Sequence, residues 1–306
     1  MNNKIVDTAK TIDYTLLCSY IKHIKNAYPC TELKSAGRSL LGKELWVISV
    51  GDGSKNIFCN GAHHGSEWIT ALVLIAFAEE LAYNMCMQTT RWFSLDISRL
   101  FAKCTFHILP MVNPDGVDLS VNSINAEHLL YDRLMSMNKN SLDFTHWNAN
   151  ARGVDLNHNY PAGWINAKTM ESAYGIHGPG PTRYGGECSK SEPETCAMTE
   201  LTRSICPNIT VSFHSQGEEI YCDYGKKTPR ISRYISQKFA DLTSYKISKP
   251  DGIASYAGYK DWFIEEFEKP GFTIELGKGE NPLPISEFAS CYNAAAKIMI
   301  ASGLLC

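Results

Sequence analysis

The sequence has no block of like charges, no Cys-x-x-Cys pair and no internal repeat, and each absence excludes a class of protein. Its 29 basic and 32 acidic residues give a net charge of −3, so we expect no surface that binds nucleic acid through clustered Lys and Arg. Eleven scattered cysteines argue against a disulfide framework or a zinc ribbon and fit reduced thiols in a cytoplasm.

Long apolar runs are also scarce. Asp7, Lys10 and Asp13 interrupt the first residues, so no secretory signal core is expected there. The segment from Ala294 to Cys306 comes nearest to a membrane-spanning length, but Lys297 breaks it. We therefore expect a cytoplasmic protein that does not associate with membranes.

Short apolar runs alternate with longer helical patterns along the 306 residues, which predicts an α/β fold. The predicted strands are Leu45–Val50, Asn56–Asn60, Cys104–Val112, Ile209–His214 and Phe272–Leu276. The predicted helices are Tyr14–Lys25, Ser66–Asn84 with Ser66 as its N-cap, Glu194–Ile205, Pro229–Leu242, Asp261–Glu268 and Ile285–Ser302. Since no composition shift marks a boundary, we expect one domain over residues 1–306. Residues 1–40 should form a helical segment packed on it, and residues 117–194 should be irregular and functional.

Side chains able to bind a metal follow three of the predicted strands. His64 and Glu67 lie three residues apart at a strand-to-helix turn, and His214 ends a later strand. Two imidazoles and one carboxylate suit a catalytic Zn²⁺ with an open position for water. Glu275 lies between apolar neighbours, where an unpaired charge is costly, so it needs a partner or a role such as general base. A His-x-x-Glu spacing alone is common by chance; the Gly-rich turn and the preceding strands favour the metal site.

Five segments carry a resemblance to the zinc metallocarboxypeptidases, the M14 or funnelin family. They occur in the family's order across about two thirds of the chain: Gly61–Glu67, Asn113–Gly116, Gly153–Asn157, Ser212–Ser215 and Phe272–Leu276. Within that family the sequence most resembles the bacterial γ-D-glutamyl-diamino-acid endopeptidases, which cut peptidoglycan stem peptides. The closer likeness is carried by Ser212–Tyr221, Asp261–Ile264 and Pro270–Lys278.

The resemblance implies a single domain built on a twisted mixed sheet of about eight strands flanked by helices. It implies one Zn²⁺ ion held by His64, Glu67 and His214, with Glu275 as the general base that passes a proton to the leaving amine. Asp155 is expected to bind backbone groups or an imidazole, rather than to take part in the reaction.

The sequence departs from the family pattern at two arginines. Where the family's exopeptidases clamp the substrate carboxylate with Asn-Arg, this chain has Asn157 and His158, so the bidentate guanidinium is absent. These two residues are predicted to bind substrate. The arginine that polarises the scissile carbonyl aligns with Asn148, and Arg152 is the nearest guanidinium, so both stay open as candidates.

Four further residues are predicted to contact substrate by the same resemblance. The family's active-site tyrosine corresponds to Tyr256 or Tyr259, with Tyr256 favoured, and Ser215 follows a ligand. Lys260 is placed at the base of the pocket for the side chain after the cut, where a cation favours a carboxylate. The alternative is a Lys stem lying along the surface at a helix start.

These predictions describe a zinc peptidase that hydrolyses peptidoglycan-derived stem peptides at the bond between γ-D-Glu and meso-diaminopimelate. We expect a small peptide or muropeptide as partner, taken from imported or internal muropeptides, and the sequence does not address the oligomeric state. An ordinary metallocarboxypeptidase is the alternative enzyme. A catalytically silent muropeptide-binding relative is the alternative of another class, against which the four intact site residues argue.

Overall fold

The predicted alternation of strands and helices is present, and most of the strands join in one mixed sheet. The structure is a computed structural model that describes residues 4–306. Its strands are β1 (Thr31–Arg38), β2 (Glu44–Val50), β3 (Lys55–Gly61), β4 (Arg91–Trp92), β5 (Leu95–Asp96), β6 (Cys104–Leu109), β7 (Ile209–His214), β8 (Glu219–Tyr221), β9 (Lys246–Ser248) and β10 (Gly271–Glu275). Eight of them pair in the order β1-β2-β6-β3-β7-β10-β8-β9, while β4 and β5 form a separate hairpin. The predicted α/β class and the eight-stranded mixed sheet are confirmed.

The centre of the sheet is parallel and buried. Strand β3 runs parallel to β6 and β7, and β7 runs parallel to β10. All six residues of β7 are buried, as expected for a parallel strand covered on both faces by helices. The carboxyl ends of β3, β7 and β10 therefore meet at one edge of the sheet, where ligands bind in open α/β folds.

Helices cover both faces of this sheet. They are α1 (Tyr14–Ala27), α2 (Trp68–Cys86), α3 (Leu100–Lys103), α4 (Pro114–Asn122), α5 (Tyr131–Met137), α6 (Trp164–Ala173), α7 (Pro193–Ile205), α8 (Arg230–Thr243), α9 (Tyr259–Phe267) and α10 (Phe288–Leu304). On β3, Ile57 and Cys59 pack into the core that includes α1, α2, α8 and α10, while Phe58 packs with α7 and α9. This alternation follows from the two-residue period of a strand.

Most residues of helix α2 are apolar and buried, as is typical of a helix in the core of a protein. Together with the preceding turn, residues 65–86 are long and apolar enough to cross a membrane by length and composition, with a mean hydropathy of 1.5. This corrects the expectation that the segment Ala294–Cys306 comes nearest to that length. In the structure 78% of the most apolar 18-residue stretch of this segment is buried. The helix packs against α1, α10 and the sheet.

The structure corrects the sequence predictions mainly where strands are short or polar. Residues 31–38, expected in an N-terminal helical segment, form the edge strand β1. Its exposed polar side chains leave no apolar run that would predict a strand. Strand β6 ends at Leu109, before Pro110, rather than at Val112. The stretch 117–194 is not wholly irregular, since α5, α6 and most of α4 lie within it.

Candidate metal centre

His64, Glu67 and His214 come together at the carboxyl edge of the sheet. Their ligand atoms all lie within 4.8 Å of one another. The Glu67 carboxylate lies between the rings, with Oε1 2.8 Å from Nδ1 of His64 and Oε2 3.0 Å from Nδ1 of His214. Two imidazole nitrogens and one carboxylate, with three protein ligands in all, are the donor set of a catalytic zinc site. The residues present fit the predicted ion.

The turn after β3 places two of these side chains. Gly65 allows close packing here, because a Cβ at this position would lie 2.3 Å from the Gly116 carbonyl oxygen and 2.5 Å from that of Trp147. Helix α2 begins only at Trp68, so Ser66 is not its N-cap as predicted. Instead the Ser66 hydroxyl donates to Oδ1 of Asn148, which fixes the turn that carries Glu67.

Asp155 holds His64 from the other side of the ring. Its Oδ1 lies 3.1 Å from Nε2 of His64, and its Oδ2 accepts a hydrogen bond from the backbone N–H of Arg183 at 2.8 Å. Burial disfavours ionisation of Asp155, but the His64 and His158 imidazoles keep the pKa of its carboxyl below the ordinary range. The prediction that Asp155 binds backbone groups or an imidazole is confirmed on both counts. This contact leaves Nδ1 of His64 for the metal.

The electrostatics of the centre favour a cation. Burial opposes protonation of His64, but the charges of Glu67 and Asp155 raise its pKa well above 6.5. Burial likewise opposes ionisation of Glu67, yet the two imidazoles lower its pKa to about 2. A metal ion bound here would take the place of the proton, because imidazole ligands bind metals in the neutral form.

Glu275 faces the same site from the neighbouring strand. It is the last residue of β10 and pairs in register with His214 on β7. Burial, and then the charge of Glu67, raise the pKa of Glu275 well above 4.5. A raised pKa and a position beside the ligands suit a group that accepts and returns a proton near neutral pH.

These side chains open into a cavity of about 350 Å³, which we call the strand-end cavity. It is lined by His64, Asn157, His158, His214, Tyr221, Pro250, Asp251, Ala254, Gly258, Lys260, Asp261, Thr273 and Glu275. Three of the predicted substrate-binding residues, Asn157, His158 and Lys260, are thus brought together with the metal cluster.

The polar groups of the cavity wall differ in how they are engaged. The side-chain oxygen of Asn157 accepts a hydrogen bond from the backbone N–H of Tyr259 at 3.0 Å. His158 is 9% exposed, and its Nδ1 has no hydrogen-bond partner among residues 4–306. Burial lowers the pKa of His158, so a neutral ring lines the cavity.

Lys260 is buried in the cavity wall, so the alternative of a surface-lying stem is wrong. Its side chain is 5% exposed. The ammonium contacts the Asp261 carboxylate and donates to the backbone carbonyl of Asp223 at 3.0 Å. Asp261 also lines the cavity and was not predicted as a site residue, and the only signal for it in the sequence was its place next to Lys260.

The two candidate tyrosines do not reach this cavity. Tyr259 is fully buried, and its hydroxyl lies 3.0 Å from Oγ1 of Thr202 and 3.3 Å from Oγ1 of Thr210. The prediction erred because α9 begins at Tyr259, two residues before the predicted start, which turns this side chain into the core. Tyr256, the favoured candidate, lines a neighbouring cavity instead.

Three other predicted residues lie outside the cavity lining. Arg152 is directed to Glu192, with Nη1 3.5 Å from Oε1. The side-chain oxygen of Asn148 accepts the hydrogen bond from Ser66 described above. Ser215 donates to Oδ1 of Asn281 at 2.8 Å. Neither Arg152 nor Asn148 lines the strand-end cavity. Ser215 instead stabilises the loop after β7 through Asn281.

A sequence profile of the zinc carboxypeptidases matches residues 17–296. The chain is 38% identical to gamma-D-glutamyl-L-diamino acid endopeptidase 1 of Lysinibacillus sphaericus, over 97% of this chain and 74% of that protein.

Solved structures share the fold. Thrombin-activatable fibrinolysis inhibitor superposes with a TM-score of 0.73 at 19% identity, over 99% of this chain and 77% of that one. Murein-tripeptide amidase MpaA of Escherichia coli O157 gives a TM-score of 0.53 at 22% identity, over 89% of this chain and 92% of that one.

Proposed function

Because the chain belongs to the zinc carboxypeptidase family and is a zinc peptidase, we propose that it hydrolyses peptidoglycan-derived stem peptides. The bond cut is the amide between γ-D-glutamate and a diamino acid such as meso-diaminopimelate. The relative from Lysinibacillus sphaericus is named for this bond, and 97% of this chain matches 74% of that protein.

The buried Lys260–Asp261 pair is the structural observation that supports this class of substrate. Both residues are buried in the wall of the strand-end cavity, and the pair offers a cation and an anion side by side. The side chain of meso-diaminopimelate ends in a carboxylate and an amine, so it presents the complementary pair. The two charges already pair with each other, so a side chain that carries both charges offers each of them a further partner of opposite sign, which an apolar or singly charged side chain does not.

His64, Glu67 and His214 would hold one zinc ion, and Asp155 would keep the His64 ring in the orientation that binds it. A Zn²⁺ ion in such a site acidifies water and polarises a carbonyl. Glu275 would accept a proton from the attacking water and return it to the nitrogen of the leaving amine, for which its raised pKa suits it.

The rest of the cavity wall would orient the substrate. His158 stands where the family's exopeptidases have the carboxylate-binding arginine, and its ring lines the cavity in the neutral form. A neutral imidazole makes a single hydrogen bond to an amide group, whereas a guanidinium binds a terminal carboxylate with two. This difference favours a substrate whose chain continues beyond the cut.

A substrate panel tests the proposal. Zinc-loaded protein is incubated with L-Ala-γ-D-Glu-meso-diaminopimelate, with the same peptide extended by D-Ala, and with peptides of standard residues that have a free C-terminus. Release of L-Ala-D-Glu from the first two supports the proposal. Release of C-terminal standard residues alone would establish the ordinary carboxypeptidase, and binding without cleavage would establish the silent relative.

A further inference from the structure

A second cavity, larger than the first, lies against the strand-end cavity. Its volume is about 810 Å³. Pro250 lines both cavities. Lys260, in the wall of the first, donates from Nζ to the backbone oxygen of Asp223, which lines the second. The two cavities therefore share a wall at Pro250, and a hydrogen bond from Lys260 joins their linings.

The second cavity carries an excess of positive charge, and we call it the basic cavity. Arg230, Arg233 and Lys249 line it, and none of the three forms a salt bridge within the described part of the chain. Asp223 and Glu265 are the carboxylates in its lining. Three cations against two acids leave the cavity suited to an anion.

The start of α8 adds to this preference. Arg230 and Arg233 are three residues apart in its first turn, so they lie on one face of the helix. Pro229 precedes the helix, and no side chain caps it. The positive end of the helix dipole thus lies beside two guanidinium groups at the cavity wall.

Two tyrosines in the wall of the basic cavity pack closely against Gly163. A Cβ at Gly163 would lie 2.7 Å from the ring of Tyr256 and 2.8 Å from the hydroxyl oxygen of Tyr224. Both tyrosines line the basic cavity, so this part of its wall is packed against Gly163.

We propose that the basic cavity binds the terminal carboxylate of a leaving group that extends beyond the diamino acid, such as a following D-alanine. This inference rests on the proposed function for the direction of the chain. A diamino acid seated against Lys260 and Asp261 lies next to Pro250, and the chain that follows it crosses there into the basic cavity. Arginine is the side chain best suited to such a carboxylate, because its fork matches the two oxygens.

Binding of the leaving group tests this inference. The dipeptide meso-diaminopimelyl-D-alanine and its C-terminal amide are titrated into zinc-loaded protein by calorimetry. We expect the acid to bind about tenfold more tightly than the amide, because only the acid offers a carboxylate to the charged hydrogen bonds of the two arginines. In the Arg230→Gln/Arg233→Gln variant the acid and amide should bind within about twofold of each other.

The matched control removes two exposed charges elsewhere. Lys22→Gln/Lys238→Gln loses two cations on α1 and α8 that do not line the basic cavity, and it should keep the preference for the acid. Circular dichroism and the melting temperature show whether each variant is folded. Equal binding of acid and amide by the unmodified protein would overturn the inference, as would an unchanged preference in the double Arg variant.

Cleavage of L-Ala-γ-D-Glu-meso-diaminopimelate by the unmodified protein, measured in parallel, separates this inference from the proposed function. Cleavage without any preference for the acid would refute the carboxylate site and leave the function standing. A preference that depends on the two arginines, without cleavage, would refute the function and support the carboxylate site.

Discussion

Asp155 holds the ring of His64 from a position 91 residues further along the chain, with Oδ1 3.1 Å from Nε2. This contact leaves Nδ1 of the same ring facing Glu67 at 2.8 Å. The orientation of the first predicted ligand is therefore set by a residue from a different part of the sequence, and the affinity of the site for metal should depend on that residue.

The Asp155→Asn variant should bind zinc about 10–100-fold more weakly than the unmodified protein. The amide keeps one oxygen for the Arg183 N–H, but its NH₂ group cannot accept from the His64 ring. Competition with a chromophoric chelator measures the affinity directly. Asp241→Asn, an exposed position on α8, is the control, and equal zinc affinities in all three proteins would contradict the role of Asp155.

Gly65→Ala should destabilise the protein by about 2–4 kcal/mol, because the added methyl group would overlap two backbone oxygens. The matched control is Gly178→Ala, where an added Cβ meets nothing within 4 Å. There the free energy of unfolding should be unchanged or slightly higher. Urea unfolding followed by circular dichroism compares the two, and similar losses in both variants would show that the close approach at Gly65 is unimportant.

Removal of the buried ion pair should change which diamino acid is preferred. In Lys260→Met/Asp261→Asn we expect kcat/KM for a diaminopimelate substrate to fall at least about tenfold more than kcat/KM for the matching lysine substrate. Only the diaminopimelate side chain carries the carboxylate that Lys260 would bind. The double substitution avoids leaving one buried charge without its partner. An equal loss for both substrates would remove Lys260 from the recognition site.

Glu194 should make stability depend on pH. Burial raises its pKa to about 7, although the backbone N–H of Leu40 donates to it at 2.8 Å. A carboxyl whose pKa is higher in the folded state holds its proton longer there than in the unfolded chain. Its ionisation therefore destabilises the fold as the pH rises from about 4.5 to 7.

The Glu194→Gln variant should lose this dependence. Relative to the unmodified protein, its free energy of unfolding should rise across that pH range by up to about 3 kcal/mol and stay level above it. Unfolding by urea at several pH values gives the difference. For Glu200→Gln, an exposed residue of the same helix, the difference should be flat, and a flat difference for Glu194→Gln as well would contradict the assignment.

The sequence was sufficient for the parts of the fold and site that depend on local pattern. Strands such as β7 are rich in β-branched and aromatic residues. His64, Glu67, His214 and Glu275 lie at or just after strand ends that a parallel sheet must bring together. Short strands such as β8 carry too few residues for a period to be visible. They form because neighbouring strands offer hydrogen-bonding partners, which is tertiary information.

The contacts of single side chains were the least predictable. Tyr259 was wrongly predicted to contact substrate because α9 begins two residues before the predicted start. A change of helix start turns a side chain to another face. Lys260 could not be assigned to a cavity rather than to the surface until the positions of Asp223 and Asp261 were known. Asp155 contacts His64 only after the chain between them, which includes α2 to α5 and β4 to β6, has folded.

The most direct test of a zinc peptidase with Glu275 as its proton carrier is a digest of L-Ala-γ-D-Glu-meso-diaminopimelate by the zinc-loaded protein and its Glu275→Gln variant, followed by mass spectrometry. We expect L-Ala-D-Glu and free diaminopimelate from the unmodified protein. The variant should bind zinc equally well and form these products at least about 100-fold more slowly. Comparable cleavage by both proteins would contradict the role of Glu275, and no cleavage by a zinc-loaded, folded protein would contradict the substrate.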